Sequence, residues 1–337
     1  MSQIRLNKNS YDNNLKQIIN KVGTNEQVIL ILKDNAYGHG ARILGQRASE
    51  LGFEFCAVKD EREANELSDI FKKILILSHI PNGNESEKFI YATNDLRALK
   101  TIKSGAKIHL AVDTLMHRNG IDLSEIDEAL GIIKERKLEL LGAFTHFRSG
   151  DILNAEYFIQ RQNFKIVKEK VAKFLSQKGL KNPTFHSHNS AGFERFNELD
   201  GELVRIGITQ FGYNQFDKNI KLTPVLSLWA NKISERILKA RSSVGYGGKF
   251  CAKVDMKIAT YDLGYGDGLF RYDGEGGLKL ANGNEILGKM SMDSFSSNDV
   301  GDEVCVFDDA RVWARFFNTI EYEILAKLSP FLKRVWV

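Results

Sequence analysis

Residues 27–40 read QVILILKDNAYGHG. From Val28 to Leu32 the run is continuously apolar, the pattern of a strand buried on both faces of a parallel sheet. Lys33 closes it, and Asp-Asn-Ala-Tyr-Gly-His-Gly follows as a tight turn in which His39 has a structural place. Upstream, Ser10 is read as the N-cap of a helix carrying Tyr11, Leu15, Ile18, Ile19 and Val22 at helical spacing until Gly23 stops it. Downstream, further strand-like runs occur around 53–58, 74–78, 87–92, 106–112, 138–146, 184–188 and 202–207. Helical patterns separate most of them, among them GARILGQRASELG (40–52) and the stretch from 154 to 178. Eight strands interleaved with helices over roughly 200 residues predict an α/β chain that closes into a (β/α)8 TIM barrel. An open doubly wound sheet is the structural rival, and the lack of a GxGxxG after the first strand counts against it. Beyond residue 218 the texture changes to short β-rich runs between Gly, Asp and Asn: KIAT (257–260), EILGKM (285–290), EVCVF (303–307) and TIEYEIL (319–325). The expected organisation is a barrel over 1–218 and a mostly-β domain over 219–337.

Composition excludes several classes. The 337 residues include 43% hydrophobic and 27% charged, with a net charge of only +4 spread along the chain, so no nucleic-acid partner is expected. Cys56, Cys251 and Cys305 are widely spaced and fit reduced thiols. The N-terminus is polar from the start and no apolar run nears the roughly 20 residues that span a bilayer, so a cytoplasmic protein without membrane contact is expected. His186 and His188 suggest zinc, but no third ligand stands at a suitable spacing, and no metal is expected.

In such a barrel, function gathers at the carboxyl ends of the strands. The chemically active residues fall there: Lys33 after the first; Arg118 beyond the fifth; Thr145 and His146 at the sixth. His186, Ser187, His188, Asn189 and Ser190 end the seventh, and Arg205-Ile206-Gly207-Ile208 follows the eighth. The loops after strands seven and eight often bind phosphate, and here they offer Ser190 at a helix start and the N–H groups of Gly207 and Ile208. A lysine ending an apolar strand is partly desolvated, which favours the neutral amine of Schiff-base chemistry. In isolation a lysine snorkelling out of the barrel mouth is the favoured reading, but Tyr37, a phosphate-type site and two arginines at the same rim reverse that preference.

LKDNAYGHG (32–40) resembles the pyridoxal-lysine motif of alanine racemases. VDTLMHRNGI (112–121), THFRSGD (145–151), HNSAG (188–192), VRIGITQFG (204–212), SVGYGGKF (243–250), LGYGDGLFR (263–271), GKMSMD (288–293) and IEYEIL (320–325) follow in that family's order. The resemblance implies pyridoxal 5'-phosphate as cofactor, carried on Lys33, with its phosphate held by Tyr37, Ser190, Gly207, Ile208 and Tyr322, and with Asn189 beside it. It places Arg118 at the phenolic oxygen of the ring and Arg205 at the pyridine nitrogen. Tyr246 becomes the second catalytic base, supported by His146, while Met292, Asp293, Arg118 and Tyr265 surround the substrate. It further implies a homodimer in which Tyr246 and Met292 serve the other subunit's site, an alanine substrate, and supply of D-alanine for peptidoglycan. Racemisation needs proton-transfer groups on both faces of the α-carbon, a task suited to Lys33 and Tyr246.

One departure concerns Ala111, where many members carry a carbamylated lysine hydrogen-bonded to the arginine equivalent to Arg118. Here Arg118 is either balanced by a bound anion or another acid or acts unmitigated on the cofactor, and an anion such as chloride is expected because Ala111 leaves room. Asp34 is a second, softer departure. Three rival functions remain: a pyridoxal-dependent decarboxylase, disfavoured because it would set an acid where Arg205 stands; a non-catalytic cofactor carrier; and a racemase of broader scope that takes serine.

Overall fold

The computed structural model describes residues 1–179, 183–217 and 219–337. The chain forms two compact units. One comprises Asn13–Asp34 and Leu44–Leu222; the other comprises Met1–Asp12, Asn35–Ile43 and Thr223–Val337.

The first strand, β1 (Gln3–Leu6), belongs to the second unit. The next eight build the first: β2 (Val28–Ile31), β3 (Phe55–Val58), β4 (Lys73–Ile76), β5 (Ile90–Thr93), β6 (Lys107–Ala111), β7 (Glu139–Phe144), β8 (Thr184–His186) and β9 (Val204–Ile206). Each overlaps one of the eight predicted runs. All pair in parallel, in the order β8-β7-β6-β5-β4-β3-β2-β9. A bridge from His188 to Val204, with Leu203 N–H donating to Phe185 O at 2.8 Å, closes the ring between β8 and β9. Every residue of β2, β3 and β5 is buried, which is why these strands read as unbroken apolar runs rather than alternating ones. The helix Glu156–Ser176 turns Tyr157, Gln160, Phe164, Val167, Val171 and Leu175 inward, the three-and-four spacing of one helix face.

Between β7 and β8 the backbones come so close that a Cβ on Gly142 would collide with the carbonyl of Thr184. Gly142→Ala is therefore expected to destabilise the barrel by ~3 kcal/mol or more, read as a lowered denaturant midpoint at unchanged slope. An unchanged midpoint would show that the strands can separate freely.

The second unit is built on a sheet in the order β14-β13-β10-β1-β16, with β15 also paired to β10. Here β10 is Leu226–Leu238, β13 Met256–Tyr261, β14 Phe295–Asn298, β15 Glu303–Phe307 and β16 Lys333–Trp336, while β11 (Ser243–Val244) and β12 (Phe250–Cys251) form a separate two-stranded sheet. β1 lies between β10, antiparallel to it, and β16, parallel to it, so the first residues of the chain complete this sheet.

Three local expectations fail. The first helix starts at Lys8, because Asn7 rather than Ser10 caps it: Asn7 Oδ1 accepts from Ser10 N–H at 2.8 Å. TIEYEIL holds a helix, Glu321–Ala326, whose Ile324 and Leu325 are buried; the alternation of Tyr322 and Ile324 is incidental to that packing. EILGKM forms only isolated bridges, Lys279 to Glu285 and Ile286 to Ser297.

Candidate active site

Two residues past β2 the chain does something costly. Asp34, Asn35, Ala36 and Tyr37 adopt φ values of 52°, 54°, 52° and 50°, so the turn beginning at Lys33 is left-handed. For L-residues this costs roughly 1–2 kcal/mol each, and such strain persists only where the surroundings over-determine it. They do so here. His39 Nδ1–H donates to the carbonyls of Ala36 and Tyr37, both at 3.1 Å. The Arg334 guanidinium donates to Gly38 O at 2.9 and 3.2 Å. Gly38 itself has φ 79°, and a Cβ there would strike the Leu325 carbonyl. In the same unit the rings of Tyr37 and Tyr322 lie 5.6 Å apart. Lys33, just before the left-handed residues, is half-buried.

At the barrel mouth Arg205 is the organising group. Its Nη1 donates to His186 O at 2.5 Å and His186 Nδ1 at 3.0 Å; its Nη2 donates to Thr145 O at 2.7 Å and lies 3.3 Å from Ser187 O. Because Arg205 can only donate, His186 Nδ1 must accept, so the His186 proton sits on Nε2 and points at His109 Nδ1, 2.8 Å away. The His186 ring is held flat against Phe144, centroids 4.9 Å apart at 8°. Burial lowers the Arg205 pKa to about 10, which leaves it charged at neutrality. No carboxylate among the described residues bonds to it; its acidic neighbour Glu202 is taken by Ser187 and Lys168. Sequence reasoning gave His109 no more than a structural place and His186 no role in holding Arg205. The signal was slight: His109 shares the parity of Ala111 on β6, which aims both at one face.

His146 lies beside this arginine, its Nδ1 3.5 Å from Arg205 Nη2 and its Nε2 3.5 Å from Asn189 Nδ2. Burial first, then the charges of Arg205, Arg118 and Lys33, push its pKa down to about 3. Four predicted site residues thus meet electrostatically at one neutral imidazole. Gln160, which the sequence did not flag, ties together the loops that carry Arg118 and His146: its Nε2 donates to Thr114 Oγ1 and His146 O, both at 3.1 Å. Asn189 caps the helix Ser190–Arg195 through Gly192 N–H at 2.9 Å. Ser190 Oγ accepts from Gly207 N–H at 3.0 Å and faces Thr209 N–H at 3.5 Å, which brings together the two segments read as a phosphate site. Arg118 is exposed and forms no ion pair among the described residues. Ala111 is buried, its carbonyl accepting from Ile121 N–H at 2.8 Å as the Arg118 loop returns to β6.

The remaining predicted residues stand on the second unit. Tyr265 and Met292 are neighbours, since Gly266 N–H donates to Met292 O at 2.8 Å and Tyr265 N–H to Ser291 O at 3.3 Å. Met292 is 54% exposed, Asp293 is exposed, and Tyr246, on a turn between Gly245 and Gly247, is 66% exposed. Within one chain, none of these three side chains is buried.

The buried histidines carry a pH consequence. Burial first in each case, His109, His146 and His188 are pushed to about 3 and His39 to about 4. Unfolded, they titrate near ~6.5, so the unfolded chain binds more protons between that pH and the folded values. Their neutral burial leaves stability intact above pH ~6.5 and erodes it as pH falls towards 4 and 3. Melting temperatures should hold level above neutrality and drop steadily below about pH 6. A flat profile down to pH ~4.5 would contradict the neutral state assigned to these rings.

Comparison with known proteins fits this arrangement. A family model for the alanine racemase N-terminal domain matches residues 6–215, and one for the C-terminal domain matches residues 225–336. The chain belongs to the alanine racemase family. It is 60% identical to the alanine racemase of Campylobacter curvus and 59% identical to that of Campylobacter concisus, covering 100% of each chain in both pairs. Among solved structures, the alanine racemase of Bacillus anthracis with bound L-Ala-P superposes with a TM-score of 0.86 at 26% identity, over 100% of this chain and 95% of that one. An N-terminal parallel barrel and a mostly-β C-terminal domain are thus the architecture of an alanine racemase family member.

Proposed function

We propose that this chain interconverts L- and D-alanine with pyridoxal 5'-phosphate, as a cytoplasmic homodimer that supplies D-alanine for peptidoglycan. The observation that carries the reading is the buried Arg205, a permanent donor with no acid bonded to it among the described residues, at the mouth of a barrel whose first strand leads into a lysine. The residues present suit the cofactor. Lys33 offers the amine that would hold it; Ser190, Gly207 and Ile208 offer donors for its phosphate beside Asn189, with Tyr37 and Tyr322 assigned to the same group. Arg118 suits the phenolic oxygen and Arg205 the ring nitrogen. When bound, the cofactor supplies a conjugated electron sink that acidifies the amino acid's α-C–H bond.

The protein's part is proton transfer and its direction. Lys33 Nζ takes or returns the α-proton on one face, and the Tyr246 phenolic oxygen does so on the other. His146, neutral and beside Arg205, is suited to accept a hydrogen bond from a tyrosine hydroxyl and so to orient it. Arg205 keeps its own proton at neutral pH, so it would offer the ring nitrogen of a bound cofactor only a donor; the electron sink would be shallower, and prompt reprotonation would be favoured over transamination or decarboxylation. Met292, with Asp293 next to it, lines the substrate carboxylate site, and Tyr265 helps close the entrance. Arg118, which pairs with no acid among the described residues, is balanced by an anion such as chloride.

The exposure of Tyr246 and Met292 supports a site shared between two copies. Incubation of the holoprotein with L-alanine in deuterated water, followed by optical rotation and α-hydrogen exchange, tests the reading. Loss of rotation together with α-deuteration supports it, and the same assay on L-serine measures breadth. Absence of both with L-alanine, despite bound cofactor, would refute it.

A further inference from the structure

Ser190, Gly207 and Ile208 are the proposed holders of the cofactor phosphate, and the role of Glu194 rests on that assignment. Glu194 lies behind them, a carboxylate only 3% exposed that proton transfer does not use. Its oxygens accept from three successive backbone N–H groups, Gln215 at 2.9 Å, Phe216 at 2.5 Å and Asp217 at 2.8 Å, and from Thr209 Oγ1 at 3.1 Å. Lys21 Nζ donates to the Glu194 carbonyl at 2.6 Å and lies over the rings of Phe193 and Phe196, so this helical turn is held from outside as well. Among the described residues every group bonded to the carboxylate is a donor, and an acceptor-only side chain matches that set.

The placement matters more than the number of bonds. Glu194 is on the helix that begins with Ser190; Thr209 is in the 3-10 turn Ile208–Phe211 that follows Gly207. Two links therefore join these segments. One is Ser190 Oγ with the N–H groups of Gly207 and Thr209; the other is Glu194 with the Thr209 hydroxyl. An anion that takes the Gly207 N–H must compete with the first link. The second lies on the far side and is untouched.

We propose that Glu194 is a positioning residue for the phosphate site, holding the Gly207–Thr209 backbone against Ser190 when the Ser190 link is exchanged for an anion. Its effect belongs to the phosphate alone, which separates it from a general support of the barrel.

The test compares apoprotein affinities for pyridoxal phosphate and for pyridoxal, which lacks the phosphate, in the unchanged protein, in Glu194→Gln and in Thr209→Val. Glutamine keeps the shape but turns an NH2 group towards N–H donors. Loss of one or two charge-assisted hydrogen bonds should weaken pyridoxal phosphate binding about tenfold to a hundredfold, with pyridoxal changed less than about threefold. Thr209→Val, which keeps the carboxylate and its backbone donors, should show the same selective loss at roughly threefold to tenfold. If Glu194→Gln does not fold, the Thr209 variant decides alone. Equal weakening of both ligands, or no weakening of either, overturns the proposal. If the unchanged protein itself fails to prefer pyridoxal phosphate over pyridoxal, the phosphate assignment falls, an outcome distinct from the failure of Glu194 to position it.

Discussion

Replacing Lys33 by alanine is expected to lower racemisation of alanine by a factor of at least about 10^4, the upper range for losing one positioned proton-transfer group, because the same amine also anchors the cofactor. The left-handed turn explains why no neighbouring lysine should take over. Four L-residues directly after Lys33 are held in an unfavourable conformation by His39, Arg334 and the Gly38–Leu325 approach, so the geometry that presents this one side chain is specific to its position. Lys59, whose ammonium pairs with Asp34 at 3.4 Å, is exposed. Two measurements check the expectation. Borohydride reduction of the holoprotein and peptide mapping should find the pyridoxyl group on Lys33. Lys33→Ala should neither racemise L-alanine nor exchange its α-hydrogen. Residual racemisation above about 1% of the unchanged rate, or a label on another lysine, would sink the assignment.

The barrel and its rim were legible in the sequence for the same physical reason. Parallel strands covered on both faces are predominantly apolar, so a polar or ionisable residue ending such a run, as Lys33 does after Ile29–Leu32 and as His146 does after Ala143–Thr145, stands out. The second unit was harder. Its sheet takes strands from both ends of the chain, β1 beside β16, and Gln3–Leu6 is too short and polar to announce itself. Helix Glu321–Ala326 shows an alternation that mimics a strand over the few residues available. Inside the barrel, the chain from Arg205 through His186 to His109 escaped because a buried polar contact depends on which strands become neighbours in space. Nothing in KIHLA or TFH marks that His109 and His186 will end 2.8 Å apart. Gln160 is similar: on its helix it occupies a core-facing position, yet it bonds to Thr114 and the His146 carbonyl instead of packing as an apolar residue would.

Tyr246→Phe carries the second large effect, because it removes one proton-transfer group and leaves the other in place. Racemisation should fall by about 10^2 to 10^4, while the α-hydrogen of one antipode of alanine continues to exchange, since Lys33 still serves its own face. Exchange of both antipodes at the unchanged rate would assign the second base to another residue. The exposure of Tyr246 turns this variant into a test of the shared site. If Tyr246 acts in the partner's site, mixing Lys33→Ala with Tyr246→Phe protein and allowing subunits to re-assort creates heterodimers with one doubly defective site and one intact site. Random pairing makes half the dimers mixed, so the mixture should recover about a quarter of the unchanged activity although each parent is nearly inactive. If Tyr246 instead served its own chain, every site in the mixture would retain a defect, and no recovery would occur at any ratio of the two proteins. Recovery should also vanish on dilution below the dimer dissociation constant, which links the activity directly to assembly.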